Sequence, residues 1–423
     1  MIIANQKVNR FLIALFFVSN ILFWPLEFDG IWHLRVNMII YLLTAGILLV
    51  GNRKISPSTK KLISFIAIGM SLHLLLTNFF FNEGLQEKSL ISLPVFLVMI
   101  FVAYELGQIS TNKDWINLEI LSLITLVIAI FFILIEFLYP HLFPKQATYR
   151  LGSIFSGIYN EPSHLGFSIY PCILISLFSK NKFIFWAGII FSVAFLYLSP
   201  SSTYLLLFIT AGVITLYSRY AFHIFILALV FFMGILYIYL IWYRTETFLD
   251  FQTKISHIGS YLHHIFNPWY EMVAKENESN LSSLVYLQGW SDAIQNLNNT
   301  WGLGKGFNMM GLDEIPMNAA RSIINSRGME SLNNQDGSFL FSKGVSELGL
   351  LFFMPFVVLT FKSLVILLKA KEALIKDYEI IKWLLIFSFV ITSLIRSSGY
   401  FCGTFALLVF TISALRASKN GKI

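Results

Sequence analysis

The stretch LEILSLITLVIAIFFILIEFLY, residues 118–139, decides the class of fold. A helix rises about 1.5 Å per residue, so a run of this length crosses about 30 Å of hydrocarbon. Comparable apolar windows recur along the whole chain. Approximate spans fall at 11–28, 35–50, 62–81, 90–109, 118–139, 163–179, 183–199, 201–218, 221–243, 338–361, 380–396 and 399–415. Composition agrees: 57% of the 423 residues are hydrophobic, 42 are Phe and only 13% are charged, against about 25% charged in soluble domains. The expectation is an all-α, polytopic membrane protein with about 12 transmembrane helices. Lys7 and Arg10 precede FLIALFFVSNILFW in the manner of a signal peptide. No small-x-small cleavage site follows, so this is read as an uncleaved first span.

Orientation follows from Lys and Arg in the short loops. Eighteen lie on one side, among them Lys7, Arg53, Lys60, Lys113, Lys182, Lys382 and Arg416. The short loops of the other side hold five: Arg35, Lys88, Lys145, Arg150 and Arg396. That ratio predicts both termini in the cytoplasm and an even number of crossings. The chain then divides into residues 1–243 with the first nine spans, a large outward loop at 244–337, and residues 338–423 with three more spans and a cytoplasmic tail. Within the loop, SSLVYLQGWSDAIQNL places Leu284, Leu287, Trp290, Ala293, Ile294 and Leu297 at i, i+3, i+4 spacing. That is an amphipathic helix, lying on the membrane or across the mouth of the bundle.

The net charge of +7 disperses into loops and forms no nucleic-acid footprint. Cys172 and Cys402 both fall inside apolar spans and read as small core residues, not a disulfide or metal framework. No nucleotide-binding loop, dinucleotide fingerprint or carboxylate-rich metal site is present. The sequence therefore predicts no metal and no cofactor, and any group transfer should draw on an activated lipid.

The passage YRLGSIFSGIYNEPSHLG, residues 149–166, interrupts the apolar pattern on the outward side. Ten residues between Arg150 and Glu161 are too few to span, so they read as a re-entrant or interfacial piece. Non-helical backbone at membrane depth survives only within protein or beside a water-filled cavity. Glu161-Pro162 is a helix start, with Pro at the first helical position and a carboxylate at the positive end of the dipole. Glu161 can equally orient or deprotonate a hydroxyl, and the two roles are compatible. Asp336, ahead of the tenth span, is either a second candidate base or a turn-forming Asp-Gly. Glu347, at membrane depth, should face the bundle interior. Arg150, Arg327 and Arg396, with Lys305 and Arg244, are the outward cations suited to an anionic, phosphate-bearing substrate. The histidines of HIGSYLHHIF, His257, His263 and His264, lack the partners of a metal site.

These residues carry a resemblance. RLGSIFSGIYNEPSHLG resembles the Arg…Gly…Glu-Pro-Ser…Gly passage of Wzy-type O-antigen and capsule repeat-unit polymerases. GWSDAIQNLNNTWGLGKGF and DGSFLFSKGVSELGLLFF are similar to the Trp-x-x-Ala…Gly-x-Gly and Glu-x-Gly passages of the wider O-antigen ligase/polymerase superfamily. The resemblance implies a metal-independent membrane glycosyltransferase of GT-C-type architecture in the bacterial cytoplasmic (inner) membrane. Its substrate would be an undecaprenyl-diphosphate-linked oligosaccharide, polymerised into O-antigen or capsular polysaccharide, with a chain-length regulator and a flippase as pathway partners. It also implies the diphosphate and glycan for Arg150, Arg327, Arg396, Lys305 and Arg244, and the acceptor hydroxyl for Glu161 or Asp336. The ligase branch has a His-Asn pair where this chain has Asp336-Gly337, which favours polymerisation over ligation. A ligase, or a non-enzymatic 12-helix transporter or flippase, is the alternative. Against a carrier of the major-facilitator kind, the long loop here lies between spans nine and ten rather than six and seven.

Overall fold

A computed structural model describes residues 2–23, 27–28, 34–50, 55–81, 87–139, 156–159, 161–199, 201–219, 281–311, 319–326, 328–329, 337–369, 377–397 and 399–419. Numbered within these residues, the helices are α1 (Ile2–Val18, continued by a π-helical turn, Ser19–Phe23), α2 (Val36–Val50), α3 (Pro57–Phe81), α4 (Glu87–Ile109), α5 (Asn112–Leu138), α6 (Pro162–Phe178), α7 (Lys182–Leu198), α8 (Ser202–Arg219), α9 (Leu281–Asn299), α10 (Ala319–Ser326), α11 (Leu340–Leu348), α12 (Leu350–Leu368), α13 (Asp377–Ile395) and α14 (Gly403–Lys419). A two-residue antiparallel bridge joins Glu27–Phe28 to Leu34–Arg35. Six of the described helical segments are long and apolar enough to cross a membrane, and five more are apolar but shorter.

Helices α2 to α8, α13 and α14 lie on spans expected from hydropathy; the expected span 221–243 is outside the described residues. Local signals set several starts. The Asp114 carboxylate accepts from the Thr111 backbone N–H at 2.7 Å, closing the first turn of α5, and Asn181 Oδ1 accepts from Phe183 N at 2.9 Å ahead of α7. The expected span 338–361 is instead two helices, α11 and α12, broken at Gly349 with φ 56 and ψ −133. In one continuous helix Phe341 and Phe356 would stand about 22 Å apart. Their rings are 4.8 Å apart, so the chain doubles back.

The core is built as membrane helices require, with small residues where backbones approach. A Cβ on Gly107 of α4 would collide with the carbonyl of Phe410 in α14. Gln108 Nε2 donates to Ser413 O at 3.1 Å, and Ser413 Oγ donates back to Tyr104 O at 2.6 Å. Contacts that involve charged side chains gather at two ends of the bundle. One end holds Arg10–Asp114 at 3.4 Å, Ser56 N to Glu105 Oε1 at 3.1 Å and Ser179 Oγ to Glu119 Oε2 at 2.7 Å. Lys382 belongs here too, but not as the loop cation expected: it is fully buried in α13. Its ammonium lies 5.3 Å from the Trp115 ring and 5.2 Å from the Tyr378 ring. The opposite end holds the candidate site.

Candidate functional site

The site begins at the turn before α6. Residues 156–159 are non-helical and almost wholly buried, the situation in which irregular backbone persists among apolar helices. Glu136, in the last turns of α5 and 1% exposed, supplies the missing acceptor. Its Oε2 accepts from Ser156 N at 2.7 Å and Gly157 N at 2.6 Å. Tyr159 Oη donates to Ile21 O of the π-helical turn at 2.8 Å. This fixes the segment that delivers Glu161.

Glu161 holds the N-cap position of α6, with Pro162 at the first helical position, yet its carboxylate caps no backbone N–H. It turns instead to Ser163 Oγ, which donates at 2.8 Å, and to Arg396 Nη2 at 3.4 Å. Arg396 follows α13 and is 235 residues away in sequence. The carboxylate is 46% exposed and the guanidinium 21%, so both can be reached from solvent.

The turn after Arg396 leads to a second, buried pair. Lys343 Nζ sits 3.0 Å from Glu347 Oε1 within α11, with exposures of 4% and 0%. The same ammonium lies 5.8 Å from the centre of the Tyr400 ring. Glu347 is held further by the glycine-rich loop after α9: its Oε2 accepts from Asn308 N at 2.7 Å and its Oε1 from Met310 N at 3.0 Å. The loop reaches it through its backbone. Lys305 N and Gly306 N donate to the carbonyls of Ser346 and Glu347, both at 2.9 Å, and Leu350 N donates to Gly302 O at 2.8 Å. A Cβ on Gly304 would come within 2.5 Å of Glu347 O, so only glycine allows this approach. His73 of α3 closes the far side, its Nε2 2.8 Å from Leu303 O.

The loop leaves α9 through a Schellman turn. Gly302 N donates to Leu297 O at 2.8 Å and Trp301 N to Asn298 O at 3.2 Å. The left-handed position of that turn, normally glycine, is Trp301, at φ 50. A left-handed conformation costs an L-residue about 1–2 kcal/mol.

Helix α9 forms where the apolar spacing predicts it, and it packs against α11 rather than lying free on a surface. Tyr286 stacks on Phe339 at 4.7 Å, Trp290 meets Phe341 at 5.3 Å, and Ser342 Oγ donates to Gly289 O at 2.5 Å. Its polar stripe is covered as well: Gln288, Asp292 and Asn296 are all buried. Arg321 of α10 donates to Asp292 Oδ2 at 2.8 Å, with both side chains about 5% exposed or less. Burial raises the Asp292 carboxyl to about 6 against the opposing pull of Arg321, and lowers the Arg321 guanidinium. Desolvation here outweighs the Coulombic gain.

Of the residues singled out from sequence, the structure brings together Glu161 and Arg396, and it places Lys305 in the loop that wraps Glu347. Arg150, Arg244, Arg327 and Asp336 lie outside the described residues, as do His257, His263 and His264. Glu347 is interior, as its depth required. Sequence reading missed Glu136 and the pairing of Lys343 with Glu347. Both left a signal: Glu136 is an ionisable residue inside an apolar run, and 343 and 347 are four residues apart on one helix face. Among the described residues no group of three or more His, Cys, Asp or Glu is placed to hold a metal ion.

The helices, their composition and this polar end define a helical, multi-pass membrane protein. No protein-family model matches the chain, and no curated protein matches it significantly.

Proposed function

We propose that the chain is a membrane glycosyltransferase that polymerises undecaprenyl-diphosphate-linked oligosaccharide repeat units at the outer face of the bacterial cytoplasmic membrane. In this reading it has twelve crossings and cytoplasmic termini, and the Glu161 end of the bundle faces outward. The distribution of Lys and Arg supports that orientation. The observation that carries the reading is the Glu161–Arg396 pair. A carboxylate and a guanidinium from opposite halves of the chain meet within 3.4 Å at a solvent-accessible end of an apolar bundle.

The geometry suits an exchange of partners. A half-exposed pair contributes about 1 kcal/mol at most. A diphosphate, with more charge and paired oxygens, competes effectively for the Arg396 fork. Glu161 then stays oriented by Ser163 and accepts the proton of an acceptor hydroxyl. The hydroxyl oxygen bonds to the anomeric carbon as the bond from that carbon to the diphosphate oxygen breaks. The electron pair leaves with the diphosphate, whose charge Arg396 offsets.

Replacing Glu161 with Gln keeps the size and removes the base. Surface glycan resolved by gel should lose its long chains and keep single repeat units. Polymer of unchanged length would end the assignment. In a gene deletion, complete absence of attached glycan would point to a ligase or a flippase instead.

A further inference from the structure

We infer that Trp301, together with Phe79, Phe80 and Phe81, is a bilayer anchor that seats the glycine-rich loop in the headgroup–acyl boundary of the leaflet at the Glu161 end. The inference does not depend on the glycosyltransferase reading. It starts from a conflict between residue and backbone: the left-handed position of the turn after α9 calls for glycine and holds the largest side chain available. Internal packing does not explain the choice, because Trp301 is 77% exposed. Among the described residues its ring pairs with aromatic rings at the end of α3, 5.6 Å from Phe81 and 6.5 Å from Phe80, with Phe79 5.3 Å from Phe80. Among the described residues, nothing encloses the indole.

The patch is also the top of a longer surface. Phe65, Ile68, Leu72, Leu75 and Phe79 recur at i, i+3, i+7, i+10 and i+14 along one face of α3, and all are exposed. This is the stripe of a helix that borders hydrocarbon, and about 20 Å of it lies below Trp301. An indole at the end of such a stripe meets the conditions for interfacial placement, with an apolar body and one N–H for the wet side. Continuity with that stripe commits the occupant to bulk phospholipid. The consequence is mechanical: the height of the loop whose amides hold Glu347 is set by the membrane surface as well as by the bundle.

The test uses the full chain in phospholipid vesicles whose acyl chains carry bromine at a shallow or a deep position. The difference in emission between wild type and Trp301→Gly isolates the Trp301 component. It should be blue-shifted and lose most of its intensity to shallow bromine, and less to deep bromine. Glycine relieves the left-handed strain, so the variant should unfold in detergent no earlier than wild type, which separates lost anchoring from lost folding. A Trp301 component with the emission of hydrated indole, unquenched at either depth, would overturn the inference. So would protection of that component by added long-chain polyprenyl phosphate, which would make a lipid substrate the occupant. A second probe avoids Trp301 altogether. Phe79→Cys carrying an environment-sensitive fluorophore should report the same shallow depth, since Cys172 and Cys402 are buried and leave the new thiol to react. A fully hydrated label there counts against the anchor.

Discussion

Glu136 and Glu347 each hold a non-helical segment by its backbone. Each is a buried carboxylate that accepts two backbone N–H groups, from residues 156 and 157 in one case and 308 and 310 in the other. Removing such an acceptor takes the carboxylate from two main-chain donors and, at Glu347, also breaks the buried ion pair with Lys343. Glu347→Ala should therefore destabilise the protein by about 3–5 kcal/mol, read as an earlier thermal midpoint in detergent. Lys343→Met should cost less, because Glu347 keeps its two amide donors. Equal losses in the two variants would show that the amides contribute little. Glu347 was read in the sequence as a charge at membrane depth, whereas Glu136 was missed although it stands in an apolar run. Their partners were not legible, because a hydrogen bond to backbone leaves no residue-type signature. Glu161 was legible as a helix start and a possible base, but 235 residues separate it from Arg396 and nothing local couples the two.

At the scale of elements, hydropathy located α2 to α8, α13 and α14 and missed one break. SELGLLFF reads as continuous apolar sequence, yet α11 and α12 form a hairpin on a single glycine. Gly349 has a positive φ, and a Cβ there would run into the carbonyl of Gly302. Gly349→Ala should undock the glycine-rich loop from the hairpin, making residues 302–306 accessible to protease while the apolar spans stay folded. Protection equal to wild type would contradict that docking. The α9–α10 pair carries a pH dependence. The folded Asp292 carboxyl, at about 6, stands above its ordinary 3.8. Folding therefore binds a proton there, and the stabilisation is complete below about pH 3.8 and is lost as pH rises through 6. Cohesion of α9 with α10, followed by hydrogen exchange corrected for intrinsic rates, should increase from pH 7 to pH 5. Asp292→Asn should flatten that profile. Helix α9 was visible in sequence through its apolar spacing. Burial of its polar stripe was not, because Gln288, Asp292 and Asn296 also read as a solvated face.

Across the whole molecule, charge is sorted by height. The described ion pairs lie at the two ends, while the middle is held by apolar and small-residue contacts and by neutral bonds such as Tyr170 Oη to Thr210 Oγ1 at 2.9 Å. This sorting underlies the orientation proposed from Lys and Arg, and it can be checked without knowing the reaction. Reporter tags at the N- and C-termini should both appear on the cytoplasmic side, and one inserted after Asn299 on the other. Opposite sides for the two termini would remove the even number of crossings. Returning to the two loops held by Glu136 and Glu347, the mode of attachment has an evolutionary consequence. A hook that grips peptide groups makes no demand of its own on side chains, and sequence is restricted only where packing or a positive φ requires it, as at Gly157 and Gly304. Most side chains of both segments are themselves buried, so variation that leaves the hook in place is confined to the few that reach solvent in part, such as Ile158 and Lys305. Such a mouth can change what it discriminates while keeping its geometry.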